Sequence, residues 1–366
     1  MTKRRSRGEG NIRFREDKKL WVAEFTIAPG KKRTKYGKTQ KEVRDWLEEQ
    51  KSLAHDGLII VNDKVTFGEF LKRWFEDVAR HNLRASTLIS HESVMRRHIL
   101  PALGDIKLAQ LAPAHIQSLY SQKLDEGLSK KTVKYIHTII HQALVQALKW
   151  GLVLRNVSEA VELPSPGKHR VDALTKPQIG LLLKALEGDR LYPFYVLLIS
   201  TGLRKGEALA LTTDCLDLDQ SLVRVEKTLN FIIGQGLVVG EPKSERSRRK
   251  VALPDFARNV LAVHLSKRKV QSKYVFCTSK GTPFGPRNVL RHFKTVLAKA
   301  GLPDTIRIHD LRHTFVSYQL AAGTPASEVQ KIAGHASFST TVDIYGHLMA
   351  GAHRESAKKM DSLFTA

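Results

Sequence analysis

Residues 309–315 read HDLRHTF: His309, Asp310, Leu311, Arg312, His313, Thr314 and Phe315. On a helix, positions i, i+3 and i+4 share a face, so His309, Arg312 and His313 point together. The spacing has the outline of the zinc-protease pattern H-E-x-x-H, with Asp310 where the glutamate would stand. The chemistry differs. Zinc held by histidines wants neutral imidazoles and anionic partners, and an arginine on the same face repels a divalent cation. Asp310 falls about a quarter turn away from that face. An anion suits the cluster better than a metal; histidines that merely pack or cap are the plain alternative. The rest of the chain decides between them.

The chain has 366 residues, enough for two or three domains. Its hydrophobic content of 42% is sufficient for buried cores. Sixty Lys and Arg stand against 36 Asp and Glu, a formal charge of +24. These charges are spread along the chain rather than gathered in a tail. An enzyme of small neutral metabolites has little use for them, whereas a protein that displaces counterions from a nucleic acid does. The two cysteines, Cys215 and Cys277, exclude a disulfide framework and fit a reducing, cytoplasmic setting. The basic start MTKRRSRGEG is followed by no apolar segment, so it does not read as a signal peptide. The longest apolar stretch, LYPFYVLLIS, is too short to cross a bilayer and is interrupted by Pro193, so no membrane association is expected.

Outward from HDLRHTF, the C-terminal half is mostly helical with one β-rich interlude. Thr175 caps a helix with Ile179, Leu182, Leu183 and Leu186 on its inner face. A buried helix FYVLLIS runs into TGLRKGEALAL. The segment SLVRVEKTLNFIIGQGLVVGEPKSERSRRKVALP alternates and turns like a small sheet. Helices resume with PDFARNVLAVHL and NVLRHFKTVLAKAG. Upstream, ELPSPGKHR (162–170) reads as a linker. Before it come four helical patterns. Thr66 and Glu69 cap one carrying Phe67, Phe70, Leu71, Trp74, Phe75 and Val78. A second runs from about Ser86 to Leu100 and is expected to stop before Pro101. A third has Pro113 in its first turn, and a fourth buries Val133, Ile136, Ile140, Ala143, Leu144, Ala147 and Leu148. Residues 61–65 read as another linker. The first 60 residues form a small α+β unit. RFRE, KLWVAEFTI and RTKYGKT are its strands, the second placing Trp21, Ala23, Phe25 and Ile27 on one face. A helix with a Thr39–Glu42 capping box and a Val43, Trp46, Leu47 stripe follows. Basic residues on these strands, with Arg13, Arg15, Lys35 and Lys38 as candidates, suit a sheet laid on a DNA groove. A packing module with a solvated basic face is the alternative reading.

Four stretches carry candidate chemistry. TGLRKGE sets Arg204 just after Gly202 at a helix start. PKSERSRRK places Lys243 in a hairpin, followed by Arg246, Arg248, Arg249 and Lys250; Arg248 and Arg249 are candidate phosphate contacts, although such a run also protects a sheet edge. HDLRHTF supplies His309 and Arg312. KIAGHASFSTTVDIYGHL supplies His335 and, ten residues on, Tyr345. Arg204, Lys243, His309, Arg312 and His335 are cations or hydrogen-bond donors. They suit a phosphodiester whose negative charge grows as it becomes five-coordinate, and arginine matches two phosphate oxygens at once. Tyr345 is the candidate nucleophile. A phenol with a pKa near 10 is ionised about one part in a thousand at neutral pH, a cost of roughly 4 kcal/mol. A cationic pocket and a proton acceptor are therefore required, and the leaving oxygen needs a proton, for which Lys243 is the natural donor.

TGLRKGE, the lysine-bearing hairpin, HDLRHTF, AGHAS and TVDIYGH occur in the order and approximate spacing of the tyrosine recombinases, the phage-integrase family, and the chain resembles that family over nearly its whole length. The resemblance implies three domains. Residues 1–60 look like an arm-type DNA-binding domain, 61–164 like a helical, SAM-like core-binding domain, and 165–366 like an α+β catalytic domain. The fold class is thus multidomain and mainly α with small β-sheets. It implies that Arg204 and Arg312 are the two catalytic arginines, His309 and His335 the histidine positions, Lys243 the hairpin lysine (with Lys250 nearby) and Tyr345 the nucleophile. Glu207 and His313 match motif positions read as structural support. The implied reaction is strand exchange on double-stranded DNA at core and arm sites. It passes through a 3′-phosphotyrosine link, with neither metal nor cofactor. A homotetramer would act through a four-way junction, assisted by DNA-bending accessory proteins or an excision factor, in a bacterial cell and encoded by a phage or conjugative element. Leu348, Met349, Met360, Leu363 and Phe364 are expected to dock the C-terminal segment on a neighbouring protomer. The alternatives are a type IB topoisomerase-like nicking-closing enzyme and a non-catalytic DNA-binding regulator.

Overall fold

The computed structural model describes residues 10–28, 31–55, 64–165, 167, 173–241 and 247–334. The chain divides into two units, Met1–Gly167 and Lys168–Ala366. The first unit opens with an antiparallel sheet of β1 (Asn11–Arg15), β2 (Leu20–Ala28) and β3 (Lys31–Gly37), followed by helix α1 (Gln40–His55). Ala23 and Phe25 of β2 pack against Val43 and Leu47 of α1, with Trp21 at the margin, as the alternation predicts; the Ile27 side chain lies outside the described residues. The capping box at the start of α1 closes one residue off the expected pattern. The Glu42 N–H donates to Thr39 Oγ1, but the Glu42 carboxylate accepts from the N–H of Lys38 rather than that of Thr39.

Four helical rods follow. The first is α2 (Phe67–Trp74), which passes through a π turn (Phe75–Ala79) into the short α3 (Arg80–Asn82). The second is α4 (Ala85–Val94), continued by a π turn (Met95–Ile99) and α5 (Leu100–Leu103). This corrects the expectation that the helix stops before Pro101. Proline has no N–H to give and its ring displaces the carbonyl one turn back. The wider turn, in which the Leu100 N–H bonds Met95 O, lets the rod carry Pro101 at the start of α5. The third and fourth rods are α6 (Pro113–Asp125) and α7 (Lys130–Lys149). Phe67, Phe70, Leu71, Ile99, Ile116, Val133, Ile136, Ile140 and Leu144 meet in their core. The N-terminus of α2 would leave its first N–H groups unmatched. Thr66 and Glu69 form a full capping box there, and Phe67 and Gly68 donate to the carbonyls of Ile106 and Gly104 at 2.8 and 2.9 Å.

In the second unit, α8 (Lys176–Ala185), α9 (Tyr192–Thr201) and α10 (Lys205–Leu209) precede the β-rich interlude. The interlude is two sheets, not one. β4 (Leu216–Asp217), β5 (Leu222–Val225) and β8 (Arg249–Ala252) make a three-stranded sheet, whereas β6 (Thr228–Ile232) and β7 (Gly236–Gly240) form a separate hairpin. Helices α11 (Asp255–Ser266), α12 (Pro286–Lys299), α13 (Ile308–Ala321) and α14 (Ala326–Ala333) complete the described chain. The almost wholly apolar α9 is buried on all sides, beneath α11 and α13. Among the described residues no helix is long and apolar enough to cross a membrane.

Thr66→Ala removes one half of the α2 capping box and should cost about 1 kcal/mol of stability. A lowered urea midpoint with an unchanged denaturant slope is the expected result.

Candidate active site

The site begins where α9 ends. Gly202 takes the left-handed conformation, φ 63°, that closes a helix C-terminus. A Cβ at Gly202 would stand 2.4 Å from a ring carbon of Phe315 on α13, so glycine also lets α13 approach. The freed Gly202 carbonyl accepts a 2.8 Å hydrogen bond from Nη1 of Arg312, whose side chain is buried. Two residues later Arg204 occupies the N-cap of α10. Arginine cannot cap with its own side chain, so Glu207 reaches back, its Oε2 accepting from the Arg204 N–H at 2.9 Å. The Arg204 guanidinium donates to Glu207 Oε1 at 2.7 Å and to the Gly334 carbonyl at 2.6 Å.

Glu207 is the centre of this network. Its side chain is 3% exposed. Arg249, at the start of β8, donates Nη2 to Glu207 Oε2 at 2.9 Å and Nη1 to Oε1 at 3.2 Å. Burial by itself would raise the carboxyl's pKa. The hydrogen bond and charge of Arg249, then the charge of Arg204, outweigh it and hold the group below its ordinary value. Arg249 also donates Nε to the Ile332 carbonyl at 2.5 Å and Nη1 to the Ser247 carbonyl at 3.2 Å.

Helix α13 brings in the histidines. Arg307 is its N-cap, and Asp310 reaches back to the Arg307 N–H at 2.7 Å and to the Arg307 guanidinium at 2.8 Å. That carboxylate is thereby turned from the face that carries the imidazoles. His309 and His313 meet edge to face, ring centres 4.7 Å apart. Burial lowers the His309 pKa, and the charges of Arg312 and Arg204 lower it further. Burial, then His309, pushes His313 down to about 4. Both rings are neutral at pH 7. Among the described residues no group of three or more His, Cys, Asp or Glu is placed to share a metal ion.

The fold therefore brings together three of the six residues singled out for chemistry: Arg204, His309 and Arg312. Lys243, His335 and Tyr345 lie outside the described residues, as do Arg246 and the C-terminal segment with its apolar residues. Of the candidate DNA contacts, Arg248 is exposed and pairs with Glu241 at 2.7 Å. Arg249 corrects its expectation: its Nε, Nη1 and Nη2 all donate inside the protein, to Ile332, Ser247 and Glu207, so its fork is turned to internal acceptors and not to a phosphate. In the N-terminal sheet Arg13 pairs with Glu24 at 2.8 Å, and Arg15 with Asp17. Directly opposed residues of an antiparallel pair share a face. Arg13 opposes Val22, which opposes Tyr36, whereas Lys35 opposes Ala23 on the face that α1 covers. Lys35 is exposed but not on the side of Arg13, and exposed Lys38 lies past the end of β3. The roles of Arg249 and of the α14 carbonyls escaped the sequence reading. Strand parity held the clue, because Arg249, Val251 and Leu253 alternate inward.

Residues 172–351 match the phage integrase family, and residues 66–124 match the phage integrase N-terminal SAM-like domain. The chain belongs to the phage integrase family, the tyrosine recombinases. An integrase of Streptomyces ambofaciens is 29% identical over 386 residues, covering 100% of this chain and 98% of the relative. A XerC-like tyrosine recombinase of Caldanaerobacter subterraneus subsp. tengcongensis is 26% identical, covering 90% and 91%. Among solved structures, the Tn1549 transposon integrase in complex with transposon right end DNA superimposes with a TM-score of 0.73 over 81% of this chain and 100% of that one, at 22% identity. That likeness shows the multidomain recombinase fold.

Glu207→Gln leaves two guanidiniums without their shared counter-charge, one of them buried. We expect a loss of roughly 3–5 kcal/mol, read by chemical denaturation. His313 makes a second, pH-dependent prediction. The folded state keeps this imidazole neutral down to about pH 4, while the unfolded chain protonates it below about 6.5. The folded state thus binds fewer protons in that window, and stability falls as pH drops from about 6.5 towards 4. His313→Gln should flatten that part of the denaturation-midpoint curve.

Proposed function

We propose that this chain is a site-specific DNA recombinase that cuts and rejoins strands to integrate or excise a mobile element. The observation that carries this reading is the convergence of Arg204, Arg312 and a neutral His309, with both arginines held by internal acceptors: Gly202 for one, Glu207 and Gly334 for the other. Guanidiniums already fixed in place bind a phosphate without further ordering cost, and they favour the extra negative charge of a five-coordinate phosphorus.

Tyr345 attacks a backbone phosphate through its phenolic oxygen. The new P–O bond forms as the bond to the 5′-oxygen breaks, leaving the 3′-end on the tyrosine. The phenolic proton passes to an acceptor, for which His309, uncharged at neutral pH, is suited. Lys243 protonates the departing 5′-oxygen, and His335 donates a hydrogen bond to the phosphate. The 5′-hydroxyl of a partner strand then reverses the step. One ester replaces another, so no nucleotide hydrolysis is needed.

Residues 1–60 read as an arm-site module, 61–164 as a core-site clamp and 165–366 as the catalytic domain. Arg13 and Arg15, on one sheet face, are the arm-site residues of first interest, and Arg248 the catalytic-domain one. Strand exchange between two sites requires four copies of the chain on DNA, with the C-terminal segment docked between neighbours and DNA-bending or excision factors in attendance, in a bacterial cytoplasm. The S. ambofaciens integrase and the transposon integrase bound to DNA support the DNA substrate.

On a suicide DNA substrate, wild-type protein should accumulate a covalent adduct, and Tyr345→Phe should form none while still shifting the same DNA in a gel. Adduct that persists in Tyr345→Phe would move the nucleophile to another residue.

A further inference from the structure

We propose that Arg249 is a positioning residue for the strand-transfer reaction: it joins the Glu207–Arg204 pair to the C-terminal end of α14. This inference rests on the recombinase reading above and adds to it a residue that touches neither the DNA nor the reacting atoms.

A helix leaves its last carbonyls without partners and carries partial negative charge at that end. At the end of α14, two of these carbonyls face arginines that come from distant parts of the chain. The Ile332 carbonyl accepts from Arg249 at 2.5 Å, and the Gly334 carbonyl accepts from Arg204 at 2.6 Å. Both guanidiniums then turn to the same carboxylate, Glu207. The helix stops at Gly334, in the left-handed conformation with φ 66°. A Cβ on Gly334 would come within 3.1 Å of Arg249 Nη1, so the backbone lies directly against the guanidinium. The result is a closed loop of contacts: Arg204 to Glu207, Glu207 to Arg249, Arg249 to Ile332, and Gly334 back to Arg204.

Each member fixes the others. Arg204 offers a phosphate only those donors that Glu207 and Gly334 leave over, so the carboxylate sets the orientation of its plane. Arg249 sets the carboxylate, and in the same stroke sets where the chain leaves α14 on its way to His335 and Tyr345. Only a planar fork of five donors can meet a carboxylate on one side and two main-chain carbonyls on the other. Burial separates Arg249 from its neighbours in the basic run. Its side chain is 6% exposed, whereas Arg248 is 56% exposed.

The test uses the full-length protein with two variants, Arg249→Met and Arg249→Lys. Two quantities are measured: the single-turnover rate of adduct formation at saturating suicide DNA, and DNA affinity as a function of salt. A displacement of about 1 Å at a reacting centre costs on the order of 10²-fold in rate. Arg249→Met should lose about that much adduct rate, with DNA affinity and its salt slope unchanged. Arg249→Lys, which keeps a charged contact to Glu207 but not the fork, should recover roughly tenfold of the loss. An unchanged adduct rate in Arg249→Met overturns the proposal. So does a fall in affinity with a salt slope reduced by about one unit, because that marks a direct phosphate contact. If Arg249→Met does not fold by circular dichroism, Arg249→Lys against wild type decides: a rate roughly tenfold below wild type at unchanged DNA affinity supports the proposal, and an unchanged rate or a weakened DNA affinity overturns it, lysine keeping the charge that sets the salt slope. Tyr345→Phe runs alongside; adduct in that control would sink the recombinase reading itself, a different failure.

Discussion

A carboxylate buried between two arginines holds the catalytic unit's functional end in register. Glu207 is 3% exposed, and without Arg204 and Arg249 its charge would be untenable there. Such a pair adds little net stability, because the cost of removing ions from water offsets most of their attraction. What it does add is uniqueness. The carboxylate has four lone-pair directions, and Arg204 and Arg249 approach them from α10 and β8, so only one arrangement of those elements satisfies all the donors.

The rest of the site follows from that constraint and from one glycine. Gly202 ends α9 in a conformation that side chains resist, and in doing so aims its carbonyl at Arg312 while making room for Phe315. The two arginines are thus tethered through the same short turn, one by the carbonyl of Gly202 and the other by lying two residues beyond it. Neither has to be recruited from solvent, and the entropy of ordering two long side chains is met during folding, not during the reaction.

Much of this was legible in the sequence, for reasons that can be named. Capping residues at Thr66 and Thr175, apolar spacing in α7 and the almost wholly apolar α9 gave helices where helices stand, because those signals are local. HDLRHTF announced a helical face shared by His309 and His313 because its spacing acts within two helical turns. The misreadings arise where distance in sequence hides proximity. Pro101 looked like a stop signal, since nothing local reveals that a wider turn just before it removes the conflict. The interlude looked like one sheet, since alternation reports a strand's faces but not its partner; β5 pairs with β8 across the whole β6–β7 hairpin. Arg249 looked like one more surface charge among Arg246, Arg248 and Lys250. Its parity with Val251 and Leu253 was visible, but its partners lie at 207 and 332, and no local pattern could bring those together. Lys35 looked equivalent to Arg13 until the pairing register put them on opposite faces.

The two π turns in the helical rods bear on how this chain tolerates changes of length. A π turn holds one residue more than an α turn over a nearly equal path. Deleting a single residue within 75–79 converts the bulge to plain α-helix and leaves the downstream rod in phase, whereas within 95–99 it would bring back the clash between Pro101 and the preceding turn. The same deletion one turn away rotates every following side chain by about 100° and carries a buried stripe out of its core. The first segment is therefore slack built into an otherwise stiff rod, a place where a one-residue deletion can be absorbed, while the second is kept wide by its proline.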